Sequence, residues 1–301
     1  MRKRRTQAEL EQLREQICEI AAEIAPCTVR QLYYQLVCRS LIEKTEAEYK
    51  TTGRLCGELR IAGRLPWNQL TDHTRWVHQV TQHSSMTEAL QDTQRLYRRD
   101  LWKEQLCHCE VWIEKDALSG VFQQVTAEYG VELYPCRGYP SLTYLHSAAA
   151  SLAWQIQRGK YCELYYFGDL DPTGQDIPRN VRRRLQAFTL NALIDHYGHS
   201  RQAGQTLIRD QLHFRIVAVT QYQVDCWNLP GRPTKQTDSR AVNWSGESVE
   251  LDAIHPDELR KMTRELIEGC INPDEWKRAK EIEQAELQTL ADFTAAYSGS
   301  N

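Results

Sequence analysis

The sequence predicts an α/β protein: a parallel sheet covered by helices, preceded by a small helical unit with the outline of a winged helix. Two observations predict it. From residue 107 onward, short runs rich in β-branched and aromatic residues (CEVWI, VELYP, CELYYFG, FRIVAV) alternate with helical stretches of 15 and 19 residues. Such alternation is the mark of βαβ units whose crossover helices cover a parallel sheet. Before residue 80, three helical periodicities are followed by a short extended segment, which is how a winged helix reads in sequence.

Taken in order, Leu10, Leu13, Ile17, Ile20 and Ile24 recur at helical spacing over 6–25, and Pro26 ends that helix. Thr28 is placed to N-cap a second helix over about 28–40. Thr45-Glu46-Ala47-Glu48 has capping-box form and opens a third over about 46–62, closed by Gly63. On this third helix Leu55, Leu59 and Ala62 form the apolar stripe. Lys50, Arg54, Arg60 and Arg64 are then expected on the exposed side, where they can meet phosphates or simply be solvated. The segment LPWNQLTDHTRW is expected to be extended and hairpin-like. Residues 81–106 read as a polar helical connector. Strands are expected over 109–113, 131–135, 162–168 and 214–219, with helices between, a loop over 228–244 and helices over 256–297. The organisation is therefore 1–80, 81–106 and 107–301.

The bulk composition is that of a globular chain with real cores, and no apolar run approaches the roughly 20 residues that span a bilayer. MRKRRTQAEL lacks the apolar core of a secretion signal, so a cytoplasmic location with no membrane is expected. Residues 1–80 carry 13 Lys+Arg against 10 Asp+Glu, or +3, which leaves −6 for the rest of a chain whose total is −3. A basic first part and an acidic remainder suit nucleic-acid binding beside a metal site. Ten cysteines are mostly scattered singly. Cys107-His108-Cys109 is the one cluster, and on a strand its two thiols face the same way. With no second ligand pair at finger-like spacing, reduced thiols are the plain reading and a metal site the sharper one. His73, His78, His83, His146 and His213 stand alone and receive no role.

Two neighbouring tyrosines pose the first functional question. In TVRQLYYQLV (28–37), Val29, Leu32, Tyr33, Leu36 and Val37 make one apolar stripe. Neighbours on a helix point about 100° apart, so Tyr33 packs while Tyr34 is presented beside Arg30. A presented phenol next to a cation is either a nucleophile whose developing charge is stabilised or a hydrogen-bonding surface group.

The carboxylates supply a second centre. Glu114 follows the strand CEVWI, and Asp169 and Asp171 follow CELYYFG. Sites in open parallel sheets form outside the carboxyl ends of strands. Positions i and i+2 of an extended segment face one way, so the two aspartates are expected to converge with Glu114. Hard oxygen ligands on this scale suit Mg²⁺ and phosphoryl transfer. Capping a helix is the lesser alternative for Asp171, which precedes Pro172.

RGYPS (137–141) followed by GDLDPTGQDI (168–177) resembles the Toprim domain of the topoisomerase VI A subunit and its meiotic double-strand-break relatives. RQLYY (30–34) is similar to that family's arginine-acidic-apolar-Tyr-Tyr motif, and NLPGRPTKQTDSR and SVELDAI match its later segments in placement. The resemblance is good over 28–80 and 109–180 and loose elsewhere. The chain's size is most like the reduced form, topoisomerase mini-A. The resemblance implies a CAP-like winged helix followed by Toprim with a C-terminal helical extension. It implies a homodimer in which Tyr34 of one subunit works over the metal site of the other, and staggered breaks in double-stranded DNA through a 5′-phosphotyrosyl link. Two departures stand out: Gln31 replaces the family's acid, and no ATP-binding P-loop is present, so strand passage needs a separate ATPase partner.

The expected function is a Mg²⁺-dependent, nucleoid-associated DNA-cleaving transesterase. Its nucleophile is Tyr34, with Arg30 on the attacked phosphate, Asp169 and Asp171 holding metal, and Glu114 either ligand or general acid/base. Arg137 is expected at phosphate or merely at the surface, and Asp176 is an outlying ligand candidate. The alternatives are a hydrolytic Toprim nuclease, in which Tyr34 only positions the backbone, and a non-catalytic DNA-binding module.

Overall fold

The computed structural model describes residues 5–70, 80–233, 244 and 246–299. Helix α1 (Gln7–Ile24) begins with a capping box between Thr6 and Glu9 and buries Leu13, Ile17, Ile20, Ala21 and Ile24. Helix α2 (Val29–Cys38) begins the same way, with Thr28 and Gln31 bonding each other's backbone. Gln31 is thus fully buried within that capping box. Helix α3 (Glu46–Ile61) is N-capped by Thr45, but the Glu48 side chain turns to Arg5 at 2.7 Å instead of closing a box. Leu55, Cys56 and Leu59 are its buried stripe, while Ala62 is an exposed C-cap residue rather than part of it. Gly63 turns the chain at φ 73°, a conformation that costs glycine little.

The expected extended segment is in part a 3₁₀ turn, Trp67–Gln69, after which Leu70 bridges Cys27; residues 71–79 lie outside the described residues. The connector is only partly helical. Helix α4 (Met86–Leu96) gives way to turns over 101–104.

The sheet is parallel throughout, in the order β2-β1-β3-β4. Its strands are β1 (Cys107–Ile113), β2 (Glu132–Pro135), β3 (Tyr161–Phe167) and β4 (Leu212–Ala218). Helix α5 (Ser119–Tyr129) joins β1 to β2, and α6 (Leu142–Gln157), capped by Ser141, joins β2 to β3. Helices α7 (Pro172–Asp195) and α8 (Arg201–Gln211) join β3 to β4, and α9 (Gln221–Trp227) follows. Helices α10 (Pro256–Glu268) and α11 (Pro273–Gly299) complete the chain. Tyr97 and Arg99 both bond Glu286 of α11 at 2.6 Å, so the end of the connector is anchored there.

Strand alternation sorts the two faces. Cys109, Val111 and Ile113 of β1 share a core with Tyr165 and Phe167 of β3 and with α5 and α10. That core is continuous with the one inside α1–α3. Trp112, Leu164 and Tyr166 face α6, α7 and α8. The chain leaves β1 toward β2 on one side and later places β3 on the other, so the switch in strand order lies between β1 and β3. That is where a parallel sheet opens a crevice at its carboxyl edge. Among the described residues no helix is long and apolar enough to cross a membrane.

Phe122 of α5 is fully buried, edge-on to Phe167 with ring centroids 4.8 Å apart. Phe122→Ala is expected to lower the unfolding free energy by about 3–5 kcal/mol, read from the urea midpoint. A loss below about 1 kcal/mol would show that this contact does not hold α5 to the sheet.

Candidate functional site

Glu114 leaves β1 directly into the crevice, its backbone N–H still bonded to the Phe167 carbonyl at 2.9 Å. One of its carboxylate oxygens accepts the Asp169 N–H at 3.0 Å. Gly168 has to be glycine for this contact, since a Cβ there would lie 2.6 Å from the Glu114 carboxylate and 2.7 Å from the Tyr166 ring. After β3, Leu170 pairs with Val249 through two backbone hydrogen bonds of 2.8 and 2.9 Å. That short antiparallel bridge carries Glu250, Leu251 and Asp252 to the crevice, and the Leu251 N–H donates to Asp169 Oδ1 at 2.8 Å.

Lys115 sits at the centre. Its Nζ lies 2.8 Å from Asp169 Oδ2, 3.0 Å from Glu250 Oε2 and 2.9 Å from Asp252 Oδ2. Arg30 of α2 also bonds Glu250 and reaches Asp252 at 3.7 Å, and Arg232 reaches Glu250 Oε1 at 3.0 Å. Burial alone would raise the Glu250 carboxyl, but Lys115 and Arg30 overcome it and bring it down to about 2. Glu114 goes the other way: burial, and then the neighbouring charge of Asp169, push it up to about 7. Burial also raises Asp169, against the pull of Lys115.

The aspartates only half follow expectation. Asp169 joins Glu114 as predicted. Asp171 instead caps α7, accepting the Gly174 N–H at 2.6 Å, with Pro172 in the first turn. The reason is local: Asp-Pro is a strong helix start, and the helix packs so close that a Cβ on Gly174 would lie 2.2 Å from the Asp169 carbonyl oxygen. Glu114, Asp169 and Asp171 therefore do not converge tightly enough to share one ion as they stand. Among the described residues, the one group of three such side chains whose ligand atoms all lie within 4.8 Å is His108, Glu110 and Glu132. It lies across the β1–β2 ladder, four residues before Glu114, or about 13 Å along a strand. The Glu110 carboxylate there is shared by His108 at 3.0 Å and the Trp112 indole at 2.7 Å. Asp176 is engaged by the Tyr139 hydroxyl at 2.5 Å and by Arg179.

The two tyrosines do face different environments, but neither is presented to solvent. Tyr34 is 2% exposed and Tyr33 6%. Tyr33 lies edge-on to Tyr34 and Tyr49 and donates to the Thr45 carbonyl at 3.2 Å. Tyr34 points the other way, into the crevice, where Glu250 and Arg30 are its charged neighbours and Lys44 Nζ lies 5.2 Å from its ring centroid. Burial and the Glu250 charge both raise the phenol's pKa. The expected presentation of Tyr34 is therefore not found: both tyrosines belong to one buried core. The covering segment is distant in sequence and shields it from water.

The basic residues of α3 are spread rather than aligned. Lys50 and Arg54 are exposed and lean on Glu46 and Glu58. Arg60 does not face outward as expected: it bonds the Trp67 and Leu70 carbonyls, stacks over Trp67 and so staples the turn after α3. Arg64 bonds Glu11 of α1 at 2.5 Å. Arg137 has the left-handed φ of 55° and reaches Asp116 at 2.9 Å. Sequence reasoning missed Lys115, Glu250 and Asp252. The Glu-x-Asp spacing of 250–252 repeats that of Asp169-x-Asp171 and was the available signal.

No family model, curated protein or solved structure matches the chain.

Two outcomes follow from the electrostatics. The raised Glu114 pKa means that ionising it opposes folding. The penalty is absent below the ordinary value of 4.5, grows toward about 7 and is complete above it. Glu114→Gln is therefore expected to gain on the order of 2–3 kcal/mol over the natural chain near pH 8 and nothing near pH 4. Parallel denaturation curves at both pH values check this, and a gain that is the same at both would refute it. Lys115→Met leaves three carboxylates facing one another and is expected to cost about 3–5 kcal/mol in urea unfolding at neutral pH. An unchanged midpoint would mean the ammonium is dispensable.

Proposed function

We propose that the chain is a DNA-cleaving transesterase of topoisomerase VI A type, with a winged-helix N-terminal unit, a Toprim α/β unit and Tyr34 as nucleophile. The observation that carries this reading is the nearness of the buried Tyr34 to the charge of Glu250. It places a phenol in the same charged network as Lys115 and Asp169, next to Glu114, at the switch point of a parallel sheet.

In this reading the Tyr34 oxygen attacks a DNA phosphorus, the bond to the 3′ oxygen breaks, and a 5′-phosphotyrosyl link remains. Glu250 is too weak a base to keep the phenol's proton, because Lys115 and Arg30 hold it as a carboxylate down to about 2. Its role is to orient the ring, and the proton passes to solvent. Glu114, poised near 7, has the acidity of a group that protonates the leaving 3′ oxygen at neutral pH. Arg30 and Lys115 lie where negative charge grows on the attacked phosphate. Glu114, Asp169 and Asp171 are hard oxygen donors that suit Mg²⁺, with Asp171 released from its capping bond and Lys115 withdrawn from Asp169. Bound there, Mg²⁺ supplies charge neutralisation at phosphate oxygens. Lys50 and Arg54 are in exposed ion pairs, which are worth little, so phosphates can replace their glutamates.

The family resemblance adds a homodimer in which Tyr34 serves the partner's acids, nucleoid association, and a separate ATPase wherever strand passage occurs. The nearness of Tyr34 to Glu250 then describes the resting state. One observation favours a second reading, hydrolysis by water: at 2% exposure Tyr34 does not meet a phosphate without a rearrangement.

The test is to incubate the protein with supercoiled plasmid and Mg²⁺, stop with SDS and compare ends before and after protease. Protein-linked linear DNA, reduced by roughly 10⁴-fold or more in both Tyr34→Phe and Asp169→Ala, is expected. Free ends that persist in Tyr34→Phe and vanish in Asp169→Ala would make the enzyme a hydrolase. DNA binding without cutting by any form would leave a binding module.

A further inference from the structure

The Cys107-His108-Cys109 cluster seen in sequence divides in the structure. Strand alternation sends both cysteines to one face of β1 and His108 to the other, the face of Glu110 and Trp112. Across the ladder, Glu110 is in register with Glu132 of β2, and Trp112 with Tyr134. His108, Glu110 and Glu132 each bring one ligand atom into a group whose members all lie within 4.8 Å of one another. His108 Nε2 is 3.0 Å from Glu110 Oε1. Cys162 of β3 is in register with His108, but its sulfur is not in the group.

This trio is not a patch of solvated acids. Glu110 has no exposed surface at all, and His108 is 8% exposed. Both carboxylates are also held from behind. The Trp112 indole donates to Glu110 Oε2 and the Tyr134 hydroxyl to Glu132 Oε2, each at 2.7 Å. The two donor rings stack on each other, with centroids 4.4 Å apart and planes 6° from parallel. Outer hydrogen bonds of this kind orient the carboxylates that ligate metals. The hydrogen bonds of Glu110 are met, but its charge is not. Among the described residues neither glutamate forms an ion pair with lysine or arginine, and His108 is the one basic group beside Glu110. Like charges placed across a ladder repel, and a buried carboxylate is costly unless a cation compensates it. Glu250, with Lys115, Arg30 and Arg232 around it, is the contrast within the same chain.

We propose that His108, Glu110 and Glu132 bind one divalent cation of the zinc class, and that this ion pins the edge strand β2 to β1. With a neutral imidazole the two carboxylates bring two negative charges, which a dication balances. One ring nitrogen and two carboxylate oxygens suit Zn²⁺ better than Mg²⁺, which takes oxygen ligands. Zinc holds such ligands at about 2.0–2.2 Å, which sets tetrahedral ligands roughly 3.4 Å apart. That separation falls within the spread the trio already has, from 3.0 Å up to 4.8 Å. Three protein ligands leave the fourth position to water, and the exposed Glu132 opens the site to solvent. The strand it fastens is only four residues long and pairs with β1 alone. Beyond it, the Cys136 N–H bonds the Ile113 carbonyl at 2.8 Å and the Gly138 N–H bonds the Glu114 carbonyl at 3.2 Å. The ion thus steadies the strand that delivers Arg137 to the crevice. The inference does not depend on the transesterase reading.

The experiment strips the full chain with EDTA, removes the chelator and titrates the protein with Co²⁺, whose visible absorption reports a four-coordinate site. One equivalent is expected to bind, with no near-ultraviolet thiolate-to-cobalt band. Zn²⁺ should displace it and excess Mg²⁺ should not, which separates this site from the crevice acids. Glu132→Gln, a change at an exposed residue, should weaken Co²⁺ binding at least about tenfold. Absence of the visible band, a thiolate band, displacement by Mg²⁺, or undiminished affinity in Glu132→Gln would each overturn the proposal. The natural chain alone decides the first three of these outcomes, so a variant that fails to fold does not protect it.

Discussion

The crevice is organised by one buried ammonium. Taking Lys115 out of water costs several kcal/mol, and that cost is offset only if its hydrogen bonds go to carboxylates held in place by other forces. Asp169 is held by the end of β3 and by the Leu251 N–H, and Glu250 and Asp252 by the backbone bridge between Leu170 and Val249. Arg30 then ties α2 to the same acids. Three separate stretches of chain thus meet on one cation, and the seating of the N-terminal helices on the sheet is part of the same arrangement. Lys115, Arg30 and Arg232 balance Asp169, Glu250 and Asp252 charge for charge. Glu114 is the acid left over. Its raised pKa follows first from its burial and then from the neighbouring charge of Asp169, which the pull of Lys115 does not offset.

The sheet makes such a concentration of charge tolerable. Parallel strands covered on both faces leave little polar surface along their length, so charge gathers where the strands end. Alternation along β1 sends Val111 and Ile113 to one core and Trp112 to the other, and the next residues, Glu114 and Lys115, are the first that escape the ladder. Glu110 is the exception within the strand. It is buried on the Trp112 face and is satisfied there by His108 and the Trp112 indole.

Much of this was legible in sequence because it is local. Thr28 and Ser141 as caps, Pro26 and Gly63 as stops, and the four strands all follow from spacing and side-chain type within a dozen residues. Glu114 and Asp169 were legible for the same reason, as acids at the carboxyl ends of strands. Asp171 was misjudged between two local signals, and Asp-Pro at a helix start prevailed over i, i+2 alternation because the strand had already ended. The exposure of Tyr34 could not be read at all. What covers it includes Glu250, more than 200 residues away, and the pairing of Leu170 with Val249 that delivers Glu250 leaves no periodic trace in the sequence. Arg60 was lost similarly, since a cation counted as solvated found two backbone carbonyls in a turn.

On the transesterase reading, the resting network also says what substrate has to do. Glu250 is held by Lys115, Arg30 and Arg232, so it is the shared acceptor of three cations, and its charge bears on the Tyr34 phenol. A DNA phosphate arriving at the crevice offers the same kind of acceptor to the same donors. Each cation it draws off removes part of what keeps Glu250 ionised and in place beside Tyr34. The Glu250 charge beside the phenol is the one a phosphate is chemically equipped to displace.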